Sequence, residues 1–449
     1  MDDLARQAIE VLWRNARGSW TRPSPRLYPH QWSWDAGFVA MGWAQLDPVR
    51  GVAELRSLLR GQWATGMVPQ IVFDLTVARG AYEPGPNAWG TARHAPAGAA
   101  TSGICQPAIH AIALARIREV AAGRAHDGHD DDGHDLDSLD AVDAGVVELY
   151  PALAAWHRWL HTARDPEGSG LVTILHPWES GLDNSPRWDA PLAAVDPGDE
   201  AEDLPRPDLT YVADPDERPT DAEYRRYRHL VDRLVAVDHD QAKAMVDHPF
   251  RVADVWSSAI LAAADDALAD LAVVAGRPED ADEHHAAAAR TRDALDGCWD
   301  AEHARCLDVD RRTGESIEAD TIAGFAPLVA GTSVDRTAIL VERLWSPSFA
   351  GSPSLRWALP PSTAVDSDAF DLRAYWRGPQ WPPMTWLLWW SLGRAGHRRS
   401  SERLRTTALD QLRSTGCTEY VEPRTGEPLG SDAQSWTAAV ALDWLGHEP

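Results

Sequence analysis

An all-α fold of paired helices is the class that this sequence predicts, on three observations. Segments with apolar residues at helical spacing recur along all 449 residues, about a dozen of them. Strand-like patterning is scarce, confined to short pieces such as TGMVPQIVFD at 65–74. Aromatic, proline-broken loops separate the helices, and no repeat of fixed length relates them. Helices that pair antiparallel can close into a double ring with the long loops gathered at one end. Periodicity leaves an open solenoid equally available.

Asp2 to Arg17 opens the series, with Leu4, Ala8, Val11, Leu12 and Ala16 at helical spacing. Pro23, Pro25 and Pro29 break it, and YPHQWSWDAGFVAMGWAQLDP then passes from an aromatic loop into a helix ending near Asp47. Pro48, suited to a first turn, starts a helix that runs to about Trp63. Gly80 to Gly98 reads as loop, and Ser102 to Ala121 as a helix capped at Thr101-Ser102. The Asp, His and Gly tract at 123–140 holds His126, His129 and His134 without any zinc spacing, and reads as a solvated loop. Val142 to Ala163 is a long helix with Leu149, Leu153, Trp156 and Leu160 on one face. Leu171 to Asp189 is loop, and the Pro- and Asp-rich segment at 189–221 predicts a lid or cap anchored by Leu209, Tyr211 and Val212. Further helices are expected over 220–238, 250–275, 279–297, 318–331, 333–344, 378–396, 402–414 and 435–445, all in one domain over 1–449.

Lys and Arg number 42 against 68 Asp and Glu, a formal net charge of −26. Such a field repels phosphate backbones and anionic membrane surfaces, so neither nucleic acid nor membrane is an expected partner. An anionic substrate would need a local arginine. The cysteines at 105, 298, 306 and 417 follow no metal or redox spacing and read as buried free thiols in a reducing compartment. No metal and no cofactor is expected. The N-terminus lacks the order of a signal peptide, and the most apolar run, MTWLLWW at 384–390, is too short to span a bilayer. A cytoplasmic protein is expected, with a homo-oligomer left open.

Chemistry concentrates in the loops. Leu171 to Asp189 carries Trp178, Glu179, Asp183, Asn184, Arg187, Trp188 and Asp189. Related compositions recur in YPHQWSWD at 28–35, TSGICQP at 101–107, YWRGPQW at 375–381 and EYVEPRTGEPLGSDAQSW at 419–436. Flat aromatic faces suit the C–H side of a pyranose, and carboxylates suit its hydroxyls or its glycosidic bond. Collected around one cavity, these loops would supply both. Each also has a plain structural reading: Trp32 and Trp34 could fill a core, Trp386, Trp389 and Trp390 stand at helical spacing, and Gln106, Glu419 and Glu422 could be ordinary polar residues.

Taken together, HPWESGLDNSPRWD, YWRGPQW, QWSWDAGF followed by GQWATGMVPQI, and TEYVEPRTGEPLGSDAQSWTAA resemble the signatures of glycoside hydrolase family 63. That group contains processing α-glucosidase I, its bacterial relatives, and the mannosylglycerate and glucosylglycerate hydrolases. The matches span residue 28 to the C-terminal region. The resemblance implies a single (α/α)6 barrel with its active site at the loop-rich end, and an inverting mechanism. In that mechanism one carboxylic acid protonates the glycosidic oxygen while a carboxylate opposite it activates water. By motif position Asp183, the first acid after GL in ESGLDNSP, is implied as the general acid, and Glu419, just before Tyr in TEYVEP, as the general base. Asp183 must then stay protonated near neutral pH, through burial or through a nearby negative charge such as Glu179 or Asp189.

The same resemblance implies that Trp34, Asp35 and Gln106 contact the non-reducing sugar, with Trp32 in the binding set and Trp178 and Trp376 as walls. Tyr375 and Trp381 fall at the cavity rim, and Gln434 places the water or a hydroxyl. DPDERPTDAEYRRY at 214–227 resembles the segment in which an arginine and a tyrosine hold a glycerate carboxylate, which implies Arg218 and Tyr224, with Tyr28 as a further donor. The alternative for Arg218 is an exposed pair with Asp214 or Asp216. The compact size is similar to that of the glucosylglycerate and mannosylglycerate hydrolases. Richness in Ala, Arg and Asp suits a high-GC bacterial genome and favours glucosylglycerate. Two departures stand out: AQSW has no aromatic before its Ser, and Cys105 stands where a hydroxyl residue is expected. Rival readings are a mannosylglycerate hydrolase, an α-glucosidase acting on another small α-glucoside, a sugar epimerase or isomerase, and a non-catalytic sugar-binding barrel.

Overall fold

A computed structural model describes residues 2–127, 134–198 and 205–447. Its helices are α1 (Asp3–Asn15), α2 (Ser33–Ala44), α3 (Pro48–Leu59), α4 (His110–Asp127), α5 (His134–Ala163), α6 (Asp189–Ala193), α7 (Asp221–Ala236) and α8 (Gln241–Asp247). They continue with α9 (Val255–Val274), α10 (Ala281–Gly297), α11 (Ala326–Ala330), α12 (Val334–Leu344), α13 (Pro382–Arg394), α14 (Arg398–Thr415) and α15 (Ser435–Gly446). The strands among the described residues are two-residue pieces.

Composition sorts the helices into two sets. A helix that is apolar on all sides has to be surrounded, whereas one with a single apolar stripe lies against a core. SWDAGFVAMGWA, which forms α2, is of the first kind, and every one of its residues is buried. The same holds for most of α9, α13 and α15. By contrast, α1, α3, α12 and α14 each bury one stripe and leave charged residues outside it. The contacts of the buried set form a circuit: α2 on α4, α4 on α9, α9 on α11, α11 on α13, α13 on α15, and α15 back on α2. Helices α1, α3, α5, α10, α12 and α14 each pack onto members of that circuit. Gly42 permits the last closure, because a Cβ there would overlap Ala439 of α15.

The circuit also places the aromatic loops. Segments 28–35, 101–107, 375–381 and 419–436 lead into the N-termini of α2, α4, α13 and α15. Paired strand pieces hold these entries: Gln31–Trp32 with Ile71–Val72, and Tyr420–Val421 with Pro428–Leu429. Val252–Ala253, just before α9, pairs with both Thr173–Ile174 and Val309–Asp310.

Several expected boundaries move, each for a local reason. The helix expected from Ser102 begins only at His110, because the preceding segment is extended and bonded to a neighbour: Ser102 N–H donates to Ile71 O at 3.0 Å, and Ile104 O accepts from Gln70 N at 2.7 Å. The helix expected over 318–331 shrinks to a 3-10 turn at Ile322–Phe325 and the short α11, since Thr321 bridges to Thr363. The tract read as a loop over 123–140 is helical at its flanks, through Asp127 and from His134; residues 128–133, with His129, lie outside the described residues. In the segment expected to be a lid, α6 and 3-10 turns at Pro207–Thr210 and Pro215–Glu217 stand among its described residues in place of plain loop. Of the expected anchors, Leu209 and Val212 are half-buried, and polar contacts add to them. Tyr211 is exposed, while Arg206 bonds Asp208 and Asp221 and lies 3.7 Å over the Tyr224 ring. Among the described residues no helix is long and apolar enough to cross a membrane.

Candidate active site

At the loop-bearing end, a cavity collects Tyr28, Trp32, Trp34, Asp35, Gln106, Trp178, Asp183, Arg218, Tyr224, Tyr375, Trp376, Glu419 and Gln434. Segments hundreds of residues apart meet there, those at 28–35, 101–107, 375–381 and 419–436 because they enter helices of the circuit. One expected member is displaced. Trp381 does not line the cavity: it is buried behind Trp376, stacked at 3.6 Å, with Tyr420 at 4.5 Å and its indole N–H donating to Tyr375 O. The stack makes Trp376 a rigid wall and leaves Trp381 as its backing.

Asp183 faces the cavity from a tightly held loop. Trp188 Nε1 donates to Leu182 O at 2.9 Å, Tyr227 OH to Asp183 O at 3.2 Å, and Trp376 N–H to Asn184 Oδ1 at 2.8 Å. Removal of water from its carboxyl pushes the pKa up to about 7; Arg218 opposes the shift and Glu419 adds to it. Of the two sources expected, burial accounts for the shift, and the negative charge that adds to it is Glu419 and not Glu179 or Asp189. Glu179 is locked to buried Arg164 at 2.5 Å, accepts the Leu175 and Cys105 N–H groups, and is held below the usual carboxylate range. Asp189 pairs with Arg377 at 2.8 Å away from the cavity. Their charges are already matched by arginines. Cys105 fills its hydroxyl-type position as a weak donor, its thiol 3.4 Å from Glu179 Oε1.

Glu419 is fully buried and surrounded by donors. Tyr28 OH donates to Oε1 at 2.7 Å, Tyr375 OH lies at 3.4 Å, and Ser431 N–H donates to Oε2 at 3.0 Å. Gly430, at φ +68°, brings the backbone so close that a Cβ would overlap the Glu419 carboxylate. Asp35 sits in the first turn of α2, its pKa raised well above the usual range by burial and by Glu419. Gln106 Oε1 accepts the Trp34 N–H at 3.1 Å, fixing one floor residue against the other.

Arg218 is 6% exposed, which removes the surface-pair alternative with Asp214 or Asp216. Its Nη1 donates to Tyr28 OH at 2.8 Å, and Nη2 stands 3.7 Å from Glu419 Oε2. Nε and Nη2 have no hydrogen-bond partner. A buried guanidinium with donors to spare calls for a further acceptor, and a carboxylate supplies two. The Tyr224 OH donates to Asp208, which lines the same cavity, at 3.3 Å.

Tyr211, expected only as an anchor of the 189–221 segment, also lines the cavity, and Gln70, Tyr82, Glu83, Asp208 and Trp436 do so without having been singled out in the sequence. Gln70 and Trp436 lie inside MVPQI and AQSW, so their motifs were visible though their roles were not. Tyr82 and Glu83 carried no local signal. His30 and His176, the histidines nearest the motifs, do not line the cavity, and their ring nitrogens bond to the backbone. Without a histidine pair, proton transfer at a sugar carbon lacks its usual agents. Among the described residues no His, Cys, Asp or Glu group could hold a metal ion.

Cutting a bond between a sugar and an oxygen needs one group to give a proton and another to take one. This cavity offers both carboxyls between aromatic walls, which defines the class: a hydrolase of glycosidic bonds. A family profile described as the mannosylglycerate hydrolase MGH1-like glycoside hydrolase domain matches residues 28–437. The chain is 41% identical over 448 residues to a glucosylglycerate hydrolase of Mycolicibacterium hassiacum, covering 99% of this chain and 98% of that one. It is 38% identical to a mannosylglycerate hydrolase of Thermus thermophilus, covering 98% and 99%. A crystal structure of the GH63 mannosylglycerate hydrolase from Thermus thermophilus in complex with Tris and D-glycerate superposes with a TM-score of 0.87 at 36% identity, over 98% of this chain and 100% of that one. The protein belongs to the MGH1-like glycoside hydrolase family.

Proposed function

We propose that the protein hydrolyses glucosylglycerate to glucose and glycerate with inversion at the anomeric carbon. Asp183 protonates the leaving oxygen, Glu419 deprotonates the attacking water, and Arg218 receives the glycerate carboxylate. The observation that carries this reading is Arg218 itself: a buried guanidinium with two nitrogens that make no hydrogen bond, in a cavity whose other charged groups are carboxyls, on a chain of net charge −26. A neutral disaccharide would leave those donors unpaired. The identity to a glucosylglycerate hydrolase supports glucose as the sugar. The contact circuit of α2, α4, α9, α11, α13 and α15 supports a single (α/α)6 barrel, with residues 189–221 as its lid. A second reading, mannosylglycerate hydrolysis, is favoured by relatives of that name at 38% identity.

A substrate panel tests both. Glucosylglycerate, mannosylglycerate, trehalose, nigerose and kojibiose are incubated with the enzyme, and released hexose is measured. Preferred glucose release from glucosylglycerate is the expected result. Preferred mannose release moves the assignment to mannosylglycerate, and preferred cleavage of the neutral disaccharides removes the glycerate assignment.

A further inference from the structure

Buried polar atoms in folded proteins nearly always have a partner, so those facing a cavity without one describe its ligand. Beyond Arg218, the unpartnered atoms on this wall include Trp34 Nε1, Gln434 Oε1, Gln70 Oε1 and Trp436 Nε1. The mechanism above gives no role to Gln70 or Trp436. Both are held firmly by something other than those atoms. The Gln70 backbone donates to Ile104 O at 2.7 Å and accepts from Ser33 N at 2.8 Å, which fixes it beside the entry to α2. Its side chain, on a residue only 3% exposed, is left facing the cavity. Trp436 stands in the first turn of α15, 5% exposed, its ring edge-on to Trp381 at 5.8 Å.

The two sit with one set of neighbours and not the other. Trp34 and Asp35 belong to the first turn of α2, and Gln106 precedes α4, so these residues share the helix-entry floor with Gln70 and Trp436. Arg218, Asp208 and Tyr211 come from the lid segment instead. An amide oxygen accepts, an indole N–H donates, and a sugar hydroxyl does both.

We propose that Gln70 and Trp436 are sugar-binding residues: Gln70 accepts from one hydroxyl of the non-reducing ring and Trp436 donates to another, and neither touches the aglycone. The proposal rests on the glycosidase reading. It is tested with Gln70→Met, Gln70→Ala and Trp436→Phe, each checked for its fold by circular dichroism and thermal midpoint. Inhibition constants of glucose and D-glycerate are measured separately, and direct binding of glucose is followed by calorimetry. Each lost bond is expected to weaken glucose about tenfold while glycerate inhibition stays within about twofold. Unchanged glucose binding in folded variants at both positions overturns the proposal and leaves water as the partner of these atoms. Weakened glycerate with unchanged glucose overturns it too. Glucose binding reads the proposal even if wild-type enzyme releases no glucose from glucosylglycerate, an outcome that defeats the glycosidase reading alone.

Discussion

Asp183 carries a pH dependence whose sign can be worked out. Its folded pKa is raised to about 7, against an unfolded value of about 3.9. On the proposed mechanism the acid form that gives the proton is lost as pH rises through about 7, so kcat/KM is expected to fall on that side. The same raised pKa makes ionisation costly to the fold. This cost is absent below about pH 4 and fully present above about pH 7. Asp183→Asn is expected to lower kcat by about 10² to 10⁴-fold. It should also raise the thermal midpoint relative to wild type at pH 8, with the gap closing toward pH 4, as scanning calorimetry would read. Arg218→Lys keeps charge but loses the planar fork, so KM for a glycerate-bearing substrate should rise by about tenfold or more while KM for kojibiose stays put. Steady-state kinetics on the two substrates separates these. Motif position pointed to Asp183 and Glu419, whereas residue types alone left Glu179 and Asp189 as equals of Asp183. What sets them apart is Arg164 against Glu179 and Arg377 against Asp189, contacts made only in the folded chain.

At the scale of elements, the loop that carries Asp183 is anchored by an ionic knot. Buried Arg187, four residues after Asp183, donates through Nη1 to Asp254 Oδ1 at 2.9 Å and to both Asp308 oxygens at 3.0 and 3.1 Å. Asp254 also caps α9, and Asp308 accepts the Val255 N–H, so the loop is tied to the start of a circuit helix. Breaking a buried pair from one side leaves uncompensated charge. Arg187→Met should therefore cost about 3–5 kcal/mol of stability. Urea unfolding checks it, and restoration by a second change, Asp308→Asn, is expected because it removes one of the stranded carboxyls. The sequence displayed Arg187 but not its partners, 67 and 121 residues further on. Helix starts were harder to read than helices. Ser102 to Pro107 has a cap-like opening and an apolar pattern, and only the bonds of Ser102 and Ile104 with the Gln70–Ile71 segment show why it stays extended.

Across the whole molecule, the all-helical class and the grouping of aromatic loops at one end could be read from periodicity and proline breaks. Closure could not, because it rests on α15 reaching α2 past Gly42, a contact between the two ends of the chain. The first turns of α2 and α15 bring Trp34, Asp35 and Trp436 to the cavity wall. The net charge of −26 disfavours an anionic substrate at long range, and Arg218 counters that locally. The central claim is that this cavity cleaves an α-glycosidic bond to glycerate with one acid and one base on opposite faces. The most direct test is proton NMR of a fresh reaction with glucosylglycerate. β-Glucose should appear first, together with glycerate, before mutarotation supplies the α anomer. α-Glucose appearing first, or no glucose released at all, would contradict the account.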